Sequence, residues 1–406
     1  MTKNTAALAQ ALPLDGLLVA DFSRVLAGPL ATMTLADLGA RVIKVERPGA
    51  GDDTRQWGPP FSGTGSTYFE SVNRNKESIC LDLGDENDRG VALALALRAD
   101  IVVENFKPGG MEKLGLGYER LSRDNPGLIY ASISGFGSAG GADLPGYDFM
   151  VQALGGLMSI TGDAAGSPTK VGVALVDILT AKDATIGILA AVHARNETGL
   201  GRRLEVNLLS SLQGALANQG QAYLGAGVVP GRMGNAHPSI APYELLNCGD
   251  GPLAVACGND GQFRAILGVL SLDEHLADER FSTNRARVAN RRELVAMLEA
   301  RLTTASAESW QAAFTAVGVP AGQVGTIADG LELAESLGLE PTIEVQDATG
   351  ATVGTQIRNP ITWSPPLAPR TAAPPALGEH GAAVREWLDS VSSPLAHAAQ
   401  RQPEVR

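Results

Sequence analysis

Short apolar runs alternate with helix-period segments through the first half of the chain. Leu17 to Phe22 reads as a buried strand, Ser23 to Pro29 as a loop, and the residues up to Leu38 as a helix; Arg41 to Val45 is a second strand ending at Glu46. Asn73 to Leu83 ends in a strand, Asp88 to Arg98 is a helix, and Ile101 to Glu104 and Leu128 to Ser134 are further strands. Continuous apolar runs bounded by turn residues suit strands buried on both faces, as in a parallel sheet covered by helices. After Asp177, apolar side chains at Ile178, Ala181, Ile186, Leu189 and Val192 recur at helical spacing, and Asn196 to Gly199 supply a stop. A strand Arg203 to Asn207 and a helix Ser210 to Tyr223 follow, running into Gly225-Ala226-Gly227 as a boundary.

Beyond that boundary the pattern changes. Leu253 to Cys257 reads as a strand entering the turn-rich Gly258-Asn259-Asp260-Gly261-Gln262, and Arg287 to Leu302 and Ala307 to Val317 read as amphipathic helices. Glu344 to Asp347 and Gln356 to Arg358 are strand-like. The Pro- and Ala-rich Pro360 to Pro375 reads as an extended return to the first domain, with Val384 to Leu388 helical and the last dozen residues frayed. A chain of 406 residues is more than one core usually fills. The expected fold is therefore α/β: a large Rossmann-like domain formed by both chain ends, plus an inserted smaller α+β domain. The expected divisions are 1–205 for the first part of the large domain, 206–226 for a linker helix, 227–330 for the small domain and 331–406 for the return segment.

Composition narrows the function classes. A net charge of −12 leaves no basic stripe able to neutralise a phosphate backbone, so a nucleic-acid partner is not expected. Cys80, Cys248 and Cys257 are scattered, odd in number and without a CxxC pair, which points away from a disulfide framework or structural zinc site. The N-terminal apolar run is broken by Gln10, Pro13 and Asp15, and the run Val91 to Val103 is cut by Arg98 and Asp100. Neither a signal peptide nor a membrane span is expected, and a cytoplasmic location is.

The candidate chemistry centres on two acids in the segment from Gly146 to Gly199. Asp177, placed at the N-cap of its helix, would have free backbone N–H groups and the helix dipole favouring an ionised carboxylate, the form a nucleophile needs. A cap that only satisfies backbone donors is the competing reading. Asp148 follows Gly146-Tyr147 and reads equally as part of a turn into the helix Phe149 to Leu154. The opening strand, helix, strand unit with Glu46 closing the second strand also resembles a dinucleotide-binding start. Its turn, Arg24-Val25-Leu26-Ala27-Gly28-Pro29, has one glycine where GxGxxG needs three, and Pro29 removes an amide, which argues against nicotinamide or flavin.

Several stretches resemble the class III CoA-transferases, the family of formyl-CoA and carnitine CoA-transferases. They are D-F-S-R-V-L-A-G-P, L-G-A-R-V-I-K-V-E-R-P-G-x-G-D, V-E-N-F-K-P-G, G-Y-D-x-x-x-Q-A-x-x-G, S-P-T-K-V-G-V-A-L-V-D and the C-terminal Leu377-Gly378-Glu379-His380. The resemblance implies that Asp177 is the nucleophile, that Asp148 is a second active-site carboxylate, and that Arg47, Asn105, Phe106 and Lys113 contact CoA. It implies an acyl pocket near Leu26, Trp57, Tyr68, Tyr147, His237 and the Gly258, Asn259, Asp260 loop. It further implies an interlocked homodimer acting on acyl-CoA and carboxylic acids, with the CoA thioester as substrate, no tightly bound cofactor and no metal. Two departures point away from oxalate. Oxalate-specific members carry Gln where Leu26 stands, and formyl-CoA transferases have a mobile glycine run where Asn259 and Asp260 stand. The related α-methylacyl-CoA racemases place His before the acid, in G-H-D; here Tyr147 occupies that position and is a poor base at neutral pH. CoA transfer, with succinyl-CoA as default donor, is therefore the expected activity; acyl-CoA racemisation at the α-carbon and a non-catalytic CoA-binding role are the alternatives.

Overall fold

The computed structural model describes residues 11–63 and 65–390; the first ten residues and the C-terminal dozen read as frayed lie outside them. Six parallel strands form the main sheet: β1 Leu18–Asp21, β2 Arg41–Glu46, β3 Lys76–Cys80, β4 Ile101–Glu104, β5 Ile129–Ser134 and β6 Arg203–Asn207. Their order is β3-β2-β1-β4-β5-β6. Val19 pairs with Val42 on one side and Ile101 on the other, which places β1 at the centre. All four residues of β1 and of β4 are buried, as expected of strands covered on both faces. The chain direction of the winding reverses between β1 and β4, and the crevice at the C-terminal ends of those strands is where such sheets hold ligands.

Among the helices that cover or edge this sheet are α1 Ala27–Asp37, α2 Glu86–Arg98, α3 Asp148–Leu154, α4 Leu175–Thr198 and α5 Leu208–Ala215. The α2 helix starts two residues before the expected Asp88, because the Asp85 side chain accepts from the amides of Asn87 and Asp88 and caps it. The expected single helix Ser210 to Tyr223 breaks after Leu216. Ala217 adopts φ +42°, and a second helix runs over Ala217–Ala226.

By its contacts the chain divides into two compact units, the second comprising Gly156–Val171 and Ala222–Leu339. That second unit has a three-stranded antiparallel sheet of β7 Tyr243–Asn247, β8 Pro252–Ala256 and β9 Ala321–Gln323. Helices α6 Asp260–Leu270 and α7 Arg291–Leu302 pack with it around Phe263, Leu267, Leu294, Leu298 and Phe314. The helix expected from Arg287 to Leu302 breaks at Asn290, because Arg287 belongs to a separate short helix, Asn284–Ala289, and points into the core. There its guanidinium donates to Ala241 O at 2.8 Å, Phe281 O at 3.0 Å and Asp260 Oδ1 at 2.7 Å.

The last part of the chain rejoins the first unit. A hairpin of β10 Thr342–Gln346 and β11 Thr352–Ile357 precedes an extended passage and helix α8 Gly381–Ser390. His380 N donates to Ser78 O on β3 at 2.9 Å, and Ser78 N donates back to His380 Nδ1 at 3.2 Å. Val384 and Leu388 of α8 enter the same apolar cluster as Ile79 of β3 and Leu95 of α2. Among the described residues no helix is long and apolar enough to cross a membrane.

Candidate active site

The two acids meet at the start of α4. The loop 135–146 leaves β5 and closes at a neck, where a Cβ added to Gly135 would lie 2.3 Å from the Cα of Gly146; only glycines allow the backbones that close. The neck delivers Tyr147 as the N-cap and Asp148 as the first residue of α3. Asp177 is not the cap of α4, as the sequence led us to expect. Ala174 takes that place without a side-chain bond, and Asp177 sits in the first turn. The capping is done by Asp148 instead, whose Oδ1 accepts from the amides of Val176 at 2.7 Å and Asp177 at 3.2 Å. Its Oδ2 accepts from Gln152 Nε2 at 2.6 Å.

This arrangement reverses the expected electrostatics of Asp177. Burial, and then the neighbouring Asp148 charge, push its carboxyl up to about 7. The α4 amides that would have favoured the ionised form are directed to Asp148. Beside the pair stands Tyr68, on the short helix Thr67–Glu70, with its ring edge-on to Trp57 at 5.2 Å between centroids. Burial, followed by the charges of Asp177, Asp148 and Asp52, pushes the Tyr68 phenol up to about 12, so it stays a neutral O–H donor. Tyr147 is 61% exposed. Leu26 is buried directly before α1.

A cleft of about 440 Å³ opens at the C-terminal ends of β1 to β3, lined among others by Arg24, Arg47, Gly51, Leu83 and Phe106. Arg47 and Arg24 share one acid: Arg47 Nη2 pairs with Asp53 Oδ1, and Arg24 Nη1 lies 3.5 Å from Asp53 Oδ2. Arg24 also stands 5.6 Å from the Phe106 ring centroid. Two guanidinium groups and an aromatic ring lining one cleft suit a phosphorylated, base-bearing ligand. Arg24 was missed in the sequence because it reads as one more loop cation. Asn105 turns inward, its amide bonded to both backbone groups of Arg24. Lys113 is exposed at the end of the short helix Gly110–Lys113 and does not line the cleft.

A buried ionic layer lies under this cleft. Lys76 Nζ donates to Asp21 Oδ2 at 3.1 Å and Lys44 Nζ to Asp52 Oδ2 at 2.9 Å, all four side chains being fully buried. Burial lowers Lys76 to about 8, with Asp21 opposing. Burial works against the Asp52 carboxylate, but Lys44 and the Thr54 hydrogen bonds outweigh it and hold its pKa below the usual range.

The remaining candidates belong to the second unit. His237 is occupied locally: its Nδ1 accepts from Ser239 N at 3.1 Å and its ring packs 5.2 Å from Tyr243. Asn259 caps α6, Asp260 is held by Arg287, and Gln262 bonds both Gly258 N and Gly318 O. The three cysteines are free. Among the described residues no group of three His, Cys, Asp or Glu side chains is placed to hold a metal ion.

Comparison with known proteins gives this geometry a context. A family model described as CoA-transferase family III matches residues 14–381. The succinyl-CoA:glutarate CoA-transferase of Mus musculus is 41% identical over 370 residues, spanning 91% of this chain and 84% of that protein. The acetyl-CoA:oxalate CoA-transferase of Acetobacter aceti is 43% identical over 338 residues, spanning 83% of this chain and 86% of that protein. A crystal structure of a CAIB/BAIF family protein from Brucella suis superposes with a TM-score of 0.83 at 45% identity, covering 94% of this chain and all of that one. A parallel α/β sheet with these relatives defines a transferase that works on CoA thioesters. The chain belongs to CoA-transferase family III.

Proposed function

We propose that this protein moves CoA from a donor acyl-CoA, by default succinyl-CoA, to a dicarboxylic acid acceptor, with Asp177 as the nucleophile. The observation that carries the reading is the Asp177 carboxyl, half-buried in the first turn of α4, unused by the helix cap and raised to about 7. The ionised Asp177 attacks the thioester carbonyl, CoA thiolate leaves, and an acyl-aspartyl anhydride forms. The thiolate then attacks the aspartyl carbonyl, releasing the donor acid and leaving an aspartyl-CoA thioester. The acceptor carboxylate attacks that thioester and expels the thiolate, forming a second anhydride. Thiolate attack on its acceptor carbonyl gives the new acyl-CoA and frees Asp177. Tyr68, neutral over the working pH range, is a donor for the oxyanions, and Asp148 fixes the first turn of α4. Arg24, Arg47 and Phe106 hold the nucleotide end of CoA in the cleft.

The succinyl-CoA:glutarate relatives and the apolar Leu26 both support a dicarboxylate longer than oxalate. The acetyl-CoA:oxalate relative makes oxalate the acceptor to test against it. A homodimer is part of the proposal, supported by apolar side chains left at the surface, among them Leu224 at 78% and Ile327 at 87% exposure. A cytoplasmic location completes it.

The test is intact mass after incubation with succinyl-CoA or acetyl-CoA, with and without hydroxylamine, beside Asp177→Ala. The expected result is a CoA-sized adduct that hydroxylamine removes and the variant never forms, with glutarate discharging it faster than oxalate. Absence of any adduct, together with α-proton exchange that survives in Asp177→Ala, overturns the assignment in favour of racemisation.

A further inference from the structure

The turn between β1 and α1 contains a residue in an unfavourable conformation. Val25 has φ +70°, in the left-handed region that a β-branched side chain rarely enters. Its neighbours are Arg24, which lines the cleft, and Leu26, which precedes α1. Side chains from three other segments hold this turn. Lys44 Nζ on β2 donates to Ser23 O at 2.9 Å. Asn105, just after β4, accepts from Arg24 N at 2.9 Å and donates to Arg24 O at 2.7 Å. Asp52 accepts from Val25 N with both oxygens, at 3.2 and 3.3 Å.

We propose that Asp52 is a positioning residue for coenzyme A: it holds Val25 in the left-handed conformation, and so fixes Arg24 and Leu26 on either side. This rests on the transferase reading above. Asp52 is suited to the task because it is itself immobilised. Lys44 Nζ lies 2.9 Å from its Oδ2, while Thr54 donates to Oδ1 from its amide at 3.0 Å and its hydroxyl at 2.8 Å. Both charged side chains are fully buried, so neither is needed for solubility, and replacing an ion pair in such a place with apolar residues is often neutral in stability. A local constraint on the turn gives the pair a use beyond stability. Release of Val25 to negative φ rotates the peptide planes beside it and swings Arg24 away from Asp53 and Phe106.

The test uses the full chain with both charges removed together, so that no lone buried charge remains. In Lys44→Met/Asp52→Leu, affinity for coenzyme A measured by calorimetry is expected to fall by about 10- to 100-fold. The KM for succinyl-CoA should rise more than kcat falls. Two changes should restore affinity to within roughly threefold. One is Lys44→Met/Asp52→Asn, which keeps an acceptor for the Val25 amide; the other is Val25→Gly added to Lys44→Met/Asp52→Leu, since glycine enters the left-handed region freely. Folded variants that neither change restores overturn the proposal. So does rapid hydrogen exchange of the Val25 amide in the wild-type protein, a measurement that needs no variant. If the wild-type protein binds no coenzyme A at all, the transferase reading falls and this proposal falls with it. Binding without rescue removes this proposal alone.

Discussion

Protonation of Asp177 near pH 7 links the chemistry to the folding equilibrium. Its carboxyl has a folded-state pKa raised from 3.8 to about 7, so the folded chain holds the proton more tightly than the unfolded one. Between those values the folded state binds more protons, and stability from this group is lost as pH rises from about 4 to about 7. Asp177→Asn is therefore expected to be more stable than wild type at pH 8 and to lack this part of the pH dependence, read by urea unfolding at pH 5 and 8. Reactivity runs the other way, because the nucleophile must be ionised. kcat/KM for the donor should climb about tenfold per pH unit below 7 and level off above it; a flat profile from pH 5.5 to 8 would count against Asp177 as the attacking group. Both acids stood out in the sequence because each opens a helix-like segment and matches an acid of the family that the chain resembles. Their division of labour did not, since the bond from Asp148 to the α4 amides joins residues 28 and 29 positions apart. The same applies to Lys44 and Asp52, which read as ordinary charges in V-I-K-V-E and G-D-D-T and only prove buried once β2 and the following loop fold together.

At the scale of elements, the central strands of the main sheet were legible because β1 and β4 are continuous buried runs ended by turn residues, and β4 and the more exposed edge strand β6 fall on the expected residues. Helix α6 was not. Asn259 to Gln262 reads as a turn, but Asn259 caps a helix that Asp260 to Gln262 already open and whose buried face is Phe263, Ile266, Leu267 and Leu270. Helix Ile327–Ser336 was also missed: it begins with a Thr326/Asp329 capping box, with Asp where the commoner signal is Glu or Gln. The neck of the 135–146 loop is the element-level feature on which Asp148 depends. A Cβ at Gly146 would lie 2.4 Å from the Cα of Gly135, with backbone on both sides and no flexible side chain to move. Gly146→Ala is expected to cost about 1–3 kcal/mol in unfolding free energy. It should lower kcat more than the loss of folded protein explains, because α3 and the Asp148 cap shift with the neck. Unchanged kcat in a destabilised variant would show that the cap tolerates that shift.

At the scale of the molecule, the first unit is discontinuous in sequence. Helix α8 supplies Val384 and Leu388 to the cluster that contains Ile79, Leu95 and Tyr130, and Arg385 pairs with Asp88 at 2.7 Å. Leu388→Ala is expected to destabilise this unit by about 2–4 kcal/mol, seen as a lower urea midpoint with little change in KM; a change in KM at constant stability would point to a role nearer the ligand. The return of the C-terminal segment was legible as a Pro- and Ala-rich passage leading to a short helical pattern. Its partners on β3 and α2 were not, because nothing in that passage names the surface it meets. During synthesis the order of emergence matters. A ribosome adding about 5–20 residues per second completes β3 and α2 tens of seconds before α8 leaves the exit tunnel. Through that interval the growing polypeptide displays the apolar surface that α8 later covers, so chaperone supply, more than final stability, is expected to limit the yield of active protein in a cell.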